Sequence, residues 1–253
     1  MEHAAHTGHS PSGETDSSPT VGSYNINFQV AGAPMAGAEC ELSFMVTEQR
    51  IGEPLEAFEL LHDRLMHLII VDETLSYFEH VHPAFTDGAF RITHAFPTAG
   101  RYKLWAEAKP QGAGPVLAAF RLNVGSGQAG PESRTESTPS AGYRVSLTPS
   151  SAPPRQSVEL TFDVADLNGK AVTDLELLMA AGGHCVIISA DLRDFLHVHP
   201  IQDVDEKWRG GPQVKFLTSF QKPGSYQVWG QFQHRGTLIT AGFALDVHET
   251  HRH

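Results

Sequence analysis

Three histidines occur at one spacing, and the same three occur again further along the chain. In residues 66–83, MHLIIVDETLSYFEHVHP, His67 is followed by His80 and His82; in residues 183–200, GHCVIISADLRDFLHVHP, His184 is followed by His197 and His199. Both read H-x12-H-x-H-P. With 15 histidines in 253 residues, three given positions are all histidine by chance roughly twice in 10,000, so the matched trios reflect an internal repeat. Duplication copies a trio as a unit, so the pair counts as one occurrence of three histidines. The chemistry that such a set suggests is metal ligation. In an extended strand, residues two apart point to the same face with roughly 6–7 Å between their Cα atoms. His80 and His82, and likewise His197 and His199, can therefore converge on one ion at about 2.0–2.1 Å from each nitrogen. His67 lands beside its pair if residues 67–71 and 77–82 are neighbouring antiparallel strands joined through DETLS; Asp191 to Asp194 turn the chain in the second copy. A fourth position is left open or filled by water. Three neutral imidazoles without a thiolate suit copper(II), zinc, nickel or non-haem iron, and the affinity order among divalent ions favours copper. The expected cofactor is thus a copper ion, with zinc, nickel or iron as alternatives. The opposing reading has the H-x-H pair making hydrogen bonds at a sheet edge, with Pro83 and Pro200 ending the strand. Burying three imidazoles without a metal is costly unless each finds a polar partner.

Other candidate ligands fall away. Cys185 follows His184 directly, but neighbours on a strand point to opposite faces, and the first copy has Leu68 there. Cys40 and Cys185 sit at non-equivalent places and are expected to pack as small apolar groups rather than to bridge. Met66 is matched by Gly183 and is expected in the core. His62, His94 and His234 have no histidine counterpart in the other copy and are expected on the surface or in loops, with His94 and His234 the nearer to the trios. His3, His6 and His9 near one end, and His248, His251 and His253 near the other, are expected to be solvated without fixed geometry.

The elements that must position the trios repeat as well. Residues 1–20 read as a disordered, histidine-containing tail, residues 21–125 as one repeat, 126–141 as a Ser, Gly, Pro and Glu linker, 142–249 as the second repeat, and 250–253 as a histidine-rich tail. SYNINFQV answers GYRVSLTP, and CELSFMV answers VELTFDV, with Phe44 opposite Phe162. FPTAGRYKLWAEA answers FQKPGSYQVWGQF, and AAFRLNV answers AGFALDV. Period-two alternation over short segments, about seven of them in about 105 residues with turn signals between, predicts an antiparallel β-sandwich. Tyr102 and Tyr226, each two residues after a glycine-marked turn, resemble the tyrosine corner of immunoglobulin-like sandwiches. Both tyrosines, with Trp105 and Trp229, are expected in the core. After its H-x-H-P the second repeat is seven residues longer, through IQDVDEKWRGGPQVK, which predicts a loop carrying Trp208 beside the second site.

Composition narrows the partners. Against 29 Asp and Glu stand 18 Lys and Arg, a net charge of -11, so no basic stripe is available for nucleic acid. No run approaches the roughly 18 apolar residues of a membrane span, and the N-terminus lacks the apolar core of a signal peptide.

The segments HLIIVDETLSYFEHVHP with FPTAGRYKLWAEA, and HCVIISADLRDFLHVHP with FQKPGSYQVWGQF, resemble bacterial extracytoplasmic β-sandwich domains of the YtkA-like and CopC-like kind. That resemblance covers most of both repeats. It implies two tandem immunoglobulin-like (cupredoxin/CopC-like) antiparallel β-sandwiches, a periplasmic or extracytoplasmic location, and work on copper or heavy metals. The reading is a transition-metal-binding protein for storage, transfer or resistance, with one three-histidine site per domain. Its partners would be transition-metal ions and a metal-transfer protein. Two alternatives stand beside it. A metal-dependent enzyme such as a bicupin oxygenase also presents H-x-H, followed by an acid (here Asp87 or Asp203) and a P-x-G turn, but it would place a histidine where Tyr102 and Tyr226 stand. The other alternative is a partner-binding sandwich with structural histidines.

Overall fold

A computed structural model describes residues 14–16, 23–127, 140–149 and 151–249. His3, His6, His9, His251, His253 and most of the linker lie outside the described residues. The chain divides into two compact units within the linker. Seven principal strands build the first domain: β1 (Tyr24–Val30), β2 (Glu39–Glu48), β3 (Met66–Asp72), β4 (Phe78–Val81), β5 (Ala89–Ala95), β6 (Gly100–Pro110) and β7 (Val116–Val124). Their counterparts are β8 (Tyr143–Thr148), β9 (Ser157–Asp166), β10 (His184–Ser189), β11 (Phe195–Val198), β12 (Gln213–Ser219), β13 (Gly224–His234) and β14 (Thr237–Val247). Among the described residues no helix is long and apolar enough to cross a membrane.

In the first domain one sheet runs β1-β2-β5, extended by Ala84–Thr86, and the other runs β7-β6-β3-β4. The second domain repeats this as β8-β9-β12 and β14-β13-β10-β11. All of these principal strands pair antiparallel. Read in chain order, this is the A-B-E and G-F-C-C′ division of an immunoglobulin-like sandwich, and it differs from the jelly roll that a cupin would adopt.

Alternation decides what fills each core. Ile26 and Phe28 from β1, Leu42, Phe44 and Val46 from β2, and Phe90 from β5 meet Leu68, Ile70, Leu104 and Phe120 from the facing sheet. Phe120 lies 5.2 Å from Phe28 and 5.9 Å from Phe44 between ring centroids, so the two sheets interlock through aromatic contacts. In the second domain Phe162 takes the place of Phe44, 5.4 Å from Phe232 and 5.9 Å from Phe243. Met66 and Cys185 are core residues of their respective domains, and burial pushes the Cys185 thiol strongly upward, so it stays protonated. Cys40, half-buried, contacts the His94 carbonyl, and neither cysteine is bridged.

Each domain carries a tyrosine corner. The Tyr102 hydroxyl donates to the Thr98 carbonyl at 2.9 Å and the Tyr226 hydroxyl to the Lys222 carbonyl at 3.0 Å, four residues upstream in both cases. Phe96 and Phe220 pack on these rings at 4.7 and 4.9 Å. The tryptophans are buried as expected. They lie on the face of β6 and β13 opposite the clusters that hold Tyr102 and Tyr226. A three-residue step along a strand changes face, so the tyrosine and tryptophan of one segment cannot share a core.

His94 on β5 belongs to the first domain alone, since Thr218 occupies its place in the second. The Tyr77 hydroxyl meets His94 Nε2 at 3.1 Å, the Phe96 ring lies 4.7 Å away, and burial pushes the imidazole down to about 4. Between pH 4 and 6.5 the unfolded imidazole holds a proton that the folded one lacks. Stability is therefore complete above about pH 6.5 and falls as the pH drops toward 4.

Two measurements check these contacts. Replacing Tyr102 or Tyr226 by Phe should lower the urea stability of its own domain by about 1–2 kcal/mol; unchanged midpoints in both would show that the corners carry no stability. His94→Gln should remove on the order of 2–3 kcal/mol of acid destabilisation between pH 6.5 and 4. Stability–pH curves that superimpose for the two proteins would refute it.

Candidate metal centre

The histidine spacing is the arithmetic of a hairpin. β3 and β4 pair with Leu68 opposite Val81, Ile69 opposite His80 and Val71 opposite Phe78; one further step of that register sets His67 opposite His82. In the second domain Cys185 lies opposite Val198 and Val186 opposite His197, which sets His184 opposite His199. Leu68 and Ile70 point into the core, so His67, Ile69 and, across the hairpin, His80 share the other face of the sheet. The rings gather accordingly. Centroids of His67, His80 and His82 lie 4.8–5.1 Å apart. Those of His184, His197 and His199 lie 4.9–5.8 Å apart. His67, His80 and His184 are buried, and His82, His197 and His199 are half-buried.

The loop that fixes this register is held in the same way twice. Asp72 Oδ1 accepts from the Tyr77 amide at 2.8 Å; at the matching position Ser189 Oγ accepts from the Asp194 amide at 2.9 Å. Leu75 and Leu192 both take left-handed backbone, at φ 58° and 60°.

The first histidine of each trio is fixed by a main-chain oxygen. His67 Nε2 lies 2.7 Å from the Leu61 carbonyl, and His184 Nε2 lies 3.0 Å from the Leu178 carbonyl. A carbonyl only accepts, so in both rings Nε2 carries the proton and Nδ1 carries the lone pair. The two carbonyls sit at the start of tight turns. Leu61 and Arg64 exchange backbone hydrogen bonds at 2.7 and 3.1 Å, and Leu178 and Ala181 do so at 2.8 and 3.1 Å. The central residues have positive φ: His62 at 50°, Asp63 at 62°, Met179 at 49° and Ala180 at 58°. Two successive positive φ values make a type I′ turn, which favours Asn and Gly. His62 and Asp63 are among the residue types that tolerate this backbone, whereas Met179 and Ala180 are not, and each of those two costs roughly 1–2 kcal/mol. The surrounding structure offsets this strain, and such strain clusters where backbone is positioned for a purpose.

The copies then diverge. His67 Nδ1 lies 2.8 Å from His80 Nε2; since Nδ1 has the lone pair, His80 donates. In the second domain one ligand atom from each of His184, His197 and His199 falls within 4.8 Å of the others. Two nitrogens on one ion are about 2.9–3.4 Å apart for bond angles near 90–110°. Among the described residues the second trio is gathered in this way as a set, whereas His82 does not join His67 and His80 so closely. Around the second trio, the extra loop brings Trp208 against the segment leading to His184. A Cβ built on Gly182 or Gly210 would come within 2.9 or 2.6 Å of its indole, so only glycine admits the contact.

The remaining histidines serve elsewhere. His62 is in the first tight turn, with its ring 6.1 Å from His67. His94 lies on the other sheet of its domain, bonded to Tyr77. His234 ends β13, where Nδ1 meets the Tyr143 hydroxyl at 2.8 Å and Nε2 meets Asp174 Oδ1 at 2.9 Å. His248 is exposed. The functional groups that sequence reasoning missed are the Leu61 and Leu178 carbonyls. Their trace is a second repeated spacing, leucine six residues before the first histidine in LHDRLMH and LMAAGGH.

No curated protein matches the chain. Solved structures that the chain resembles include red sea bream transglutaminase, at 11% identity and TM-score 0.27, covering 89% of this chain and 31% of that one. Three N-terminal domains of the bacteriophage RB49 outer capsid protein Hoc match at 15% identity and TM-score 0.24, covering 88% and 59%. The Escherichia coli adhesin FdeC matches at 14% identity and TM-score 0.27, covering 93% and 66%. The chain thus spans less than two thirds of the first two, and at these scores the likeness carries no argument about function. Residues 19–126 and residues 137–249 each match the family described as the domain of unknown function DUF8832, and the chain belongs to that family as a tandem pair.

Proposed function

We propose that the protein binds a transition-metal ion in each domain, through His67, His80 and His82 in the first and His184, His197 and His199 in the second. The ion is copper or a close relative, held for storage, transfer or resistance. The observation that carries this reading is the repeated carbonyl contact. Metal-ligating imidazoles characteristically donate their second ring nitrogen to a carbonyl or carboxylate, which fixes tautomer and orientation. His67 and His184 have that contact at 2.7 and 3.0 Å, each with two further imidazoles across a hairpin. The set is neutral and free of thiolate, because Cys185 faces the core, and such a set favours copper over zinc at equal supply. The resemblance of the hairpin sequences to YtkA-like and CopC-like domains agrees with a metal role outside the cytoplasm and with delivery to or from a metal-transfer protein.

The chemistry asked of the residues is simple. His67 and His184 bind through Nδ1 and stay fixed. In the first domain His80 Nε2 donates its proton to His67 Nδ1, so to hold an ion beside His67 the neutral His80 ring would carry its proton on Nδ1 or turn to present Nδ1, and protonation of any ring of the trio would weaken loading as the solution becomes more acidic.

Metal analysis with competitive titration on the whole chain tests the stoichiometry. Two ions should bind, with one lost in His80→Ala and one lost in His197→Ala; unchanged binding in both variants would sink the proposal. Nitrogen NMR of the zinc-loaded protein tests the ligand atoms. The Nδ1 resonances of His67 and His184 should shift while their Nε2 protons persist, whereas loss of those protons would contradict the assignment.

A further inference from the structure

Resting on that metal-binding reading, we infer that the two sites are unequal: the second domain retains its ion and the first exchanges it, and Trp208 is the positioning residue that makes the second site the tighter. The donor atoms carry the first half of this. One ligand atom from each of His184, His197 and His199 lies within 4.8 Å of the others, whereas His82 does not join His67 and His80 so closely. Within the first trio, His80 Nε2 donates to His67 Nδ1 at 2.8 Å. That nitrogen is the atom through which His67 would bind, so loading the first site has to break this bond and bring His82 inward. Giving up one buried hydrogen bond corresponds to about tenfold in affinity. A donor set that is already gathered gives up less on binding.

The chain around the second trio shows what gathers it. After Pro83 the first domain runs directly into Ala84–Thr86, which pairs with β5 in the other sheet. After Pro200 the second domain takes its longer loop, and that loop returns to the segment leading to His184. Leu175 and Gly210 exchange backbone hydrogen bonds at 2.8 and 3.3 Å, and Leu175 is fully buried in the core. Beside this anchor the Trp208 ring, itself packed against the core, lies on Gly182, two residues before His184. A Cβ at Gly182 would stand 2.9 Å from the indole. The first domain has Leu65 at the matching position, and a side chain there is incompatible with an indole so placed. The loop thus joins the end of the strand that carries His197 and His199 to the segment that carries His184, and Trp208 fills the joint. Residues that hold ligands in place without touching the ion set metal affinity by about 10–100-fold.

The test uses the whole chain with one site disabled at a time, His197→Ala/His199→Ala to isolate the first and His80→Ala/His82→Ala to isolate the second. Each is titrated with Zn(II) against a chromophoric chelator, and release to excess chelator is timed. The second site should bind at least about tenfold more tightly and release more slowly. With only the second site intact, Trp208→Ala should weaken binding by about tenfold, and Trp208→Phe, which keeps a ring on Gly182, should recover most of that loss. Gly182→Ala, which leaves the indole in the chain but pushes it away, should weaken the same site even if Trp208→Ala does not fold. With only the first site intact, Trp208→Ala should change nothing. Equal affinities, a tighter first site, or an unaltered second site in folded Trp208→Ala and Gly182→Ala would overturn the inference and leave metal binding intact; absence of binding at both sites would overturn both.

Discussion

Antiparallel pairing of β3 with β4, and of β10 with β11, is the contact on which the rest of each domain's chemistry depends. A strand alternates faces with period two, so a slip of one residue would send His80 and His82 to the core side and Glu79 and Val81 to the other. The register is fixed from several directions. Leu68 and Ile70 are committed to the core by the aromatic residues of the facing sheet. The hairpin loop is closed by Asp72 in one copy and Ser189 in the other. The tyrosine corner secures the start of the strand that pairs with the other edge of β3 or β10. Side chains that never approach the histidines thereby decide where the histidines lie.

Holding three imidazoles together in partly buried surroundings works against stability, and the fold meets that cost with main chain. The tight turns before β3 and β10 adopt left-handed backbone, in the second at residues poorly suited to it, and each delivers one carbonyl to one ring. The same oxygen accepts both the turn's own amide and the histidine, so turn and ring orientation form one hydrogen-bonded unit. Elsewhere the copies have been free to change. His94 with Tyr77 in the first domain is replaced by Thr218 with Asp194 in the second, and the second has gained the loop that places Trp208 on Gly182 and Gly210.

Much of this was legible before any coordinates. Alternation in SYNINFQV and its copy gave β1 and β8 to within a residue, because an apolar residue at every second position is the footprint of a half-buried strand. The hairpin placement of the trio followed from spacing alone, and G-x-Y located the tyrosine corners. The burial of the tryptophans was legible too, and their face of the strand follows from the odd number of residues between Tyr102 and Trp105. What could not be read was the pair of type I′ turns. His62-Asp63 and Met179-Ala180 carry none of the Asn and Gly that mark such turns most strongly; Asp63 leaves a weak local signal and Met179-Ala180 leave none.

The carbonyl strut has a consequence for how these domains tolerate change. Its chemically active atom belongs to the main chain, and every amino acid except for side-chain fit would supply the same oxygen at positions 61 and 178. A mutational scan that reads loss of function from side-chain replacement would pass over both positions, and a comparison of homologues could show them freely varying. The group that sets the protonation state of the first histidine is thus encoded by the path of the backbone, and it can be inherited while the residues that form it drift.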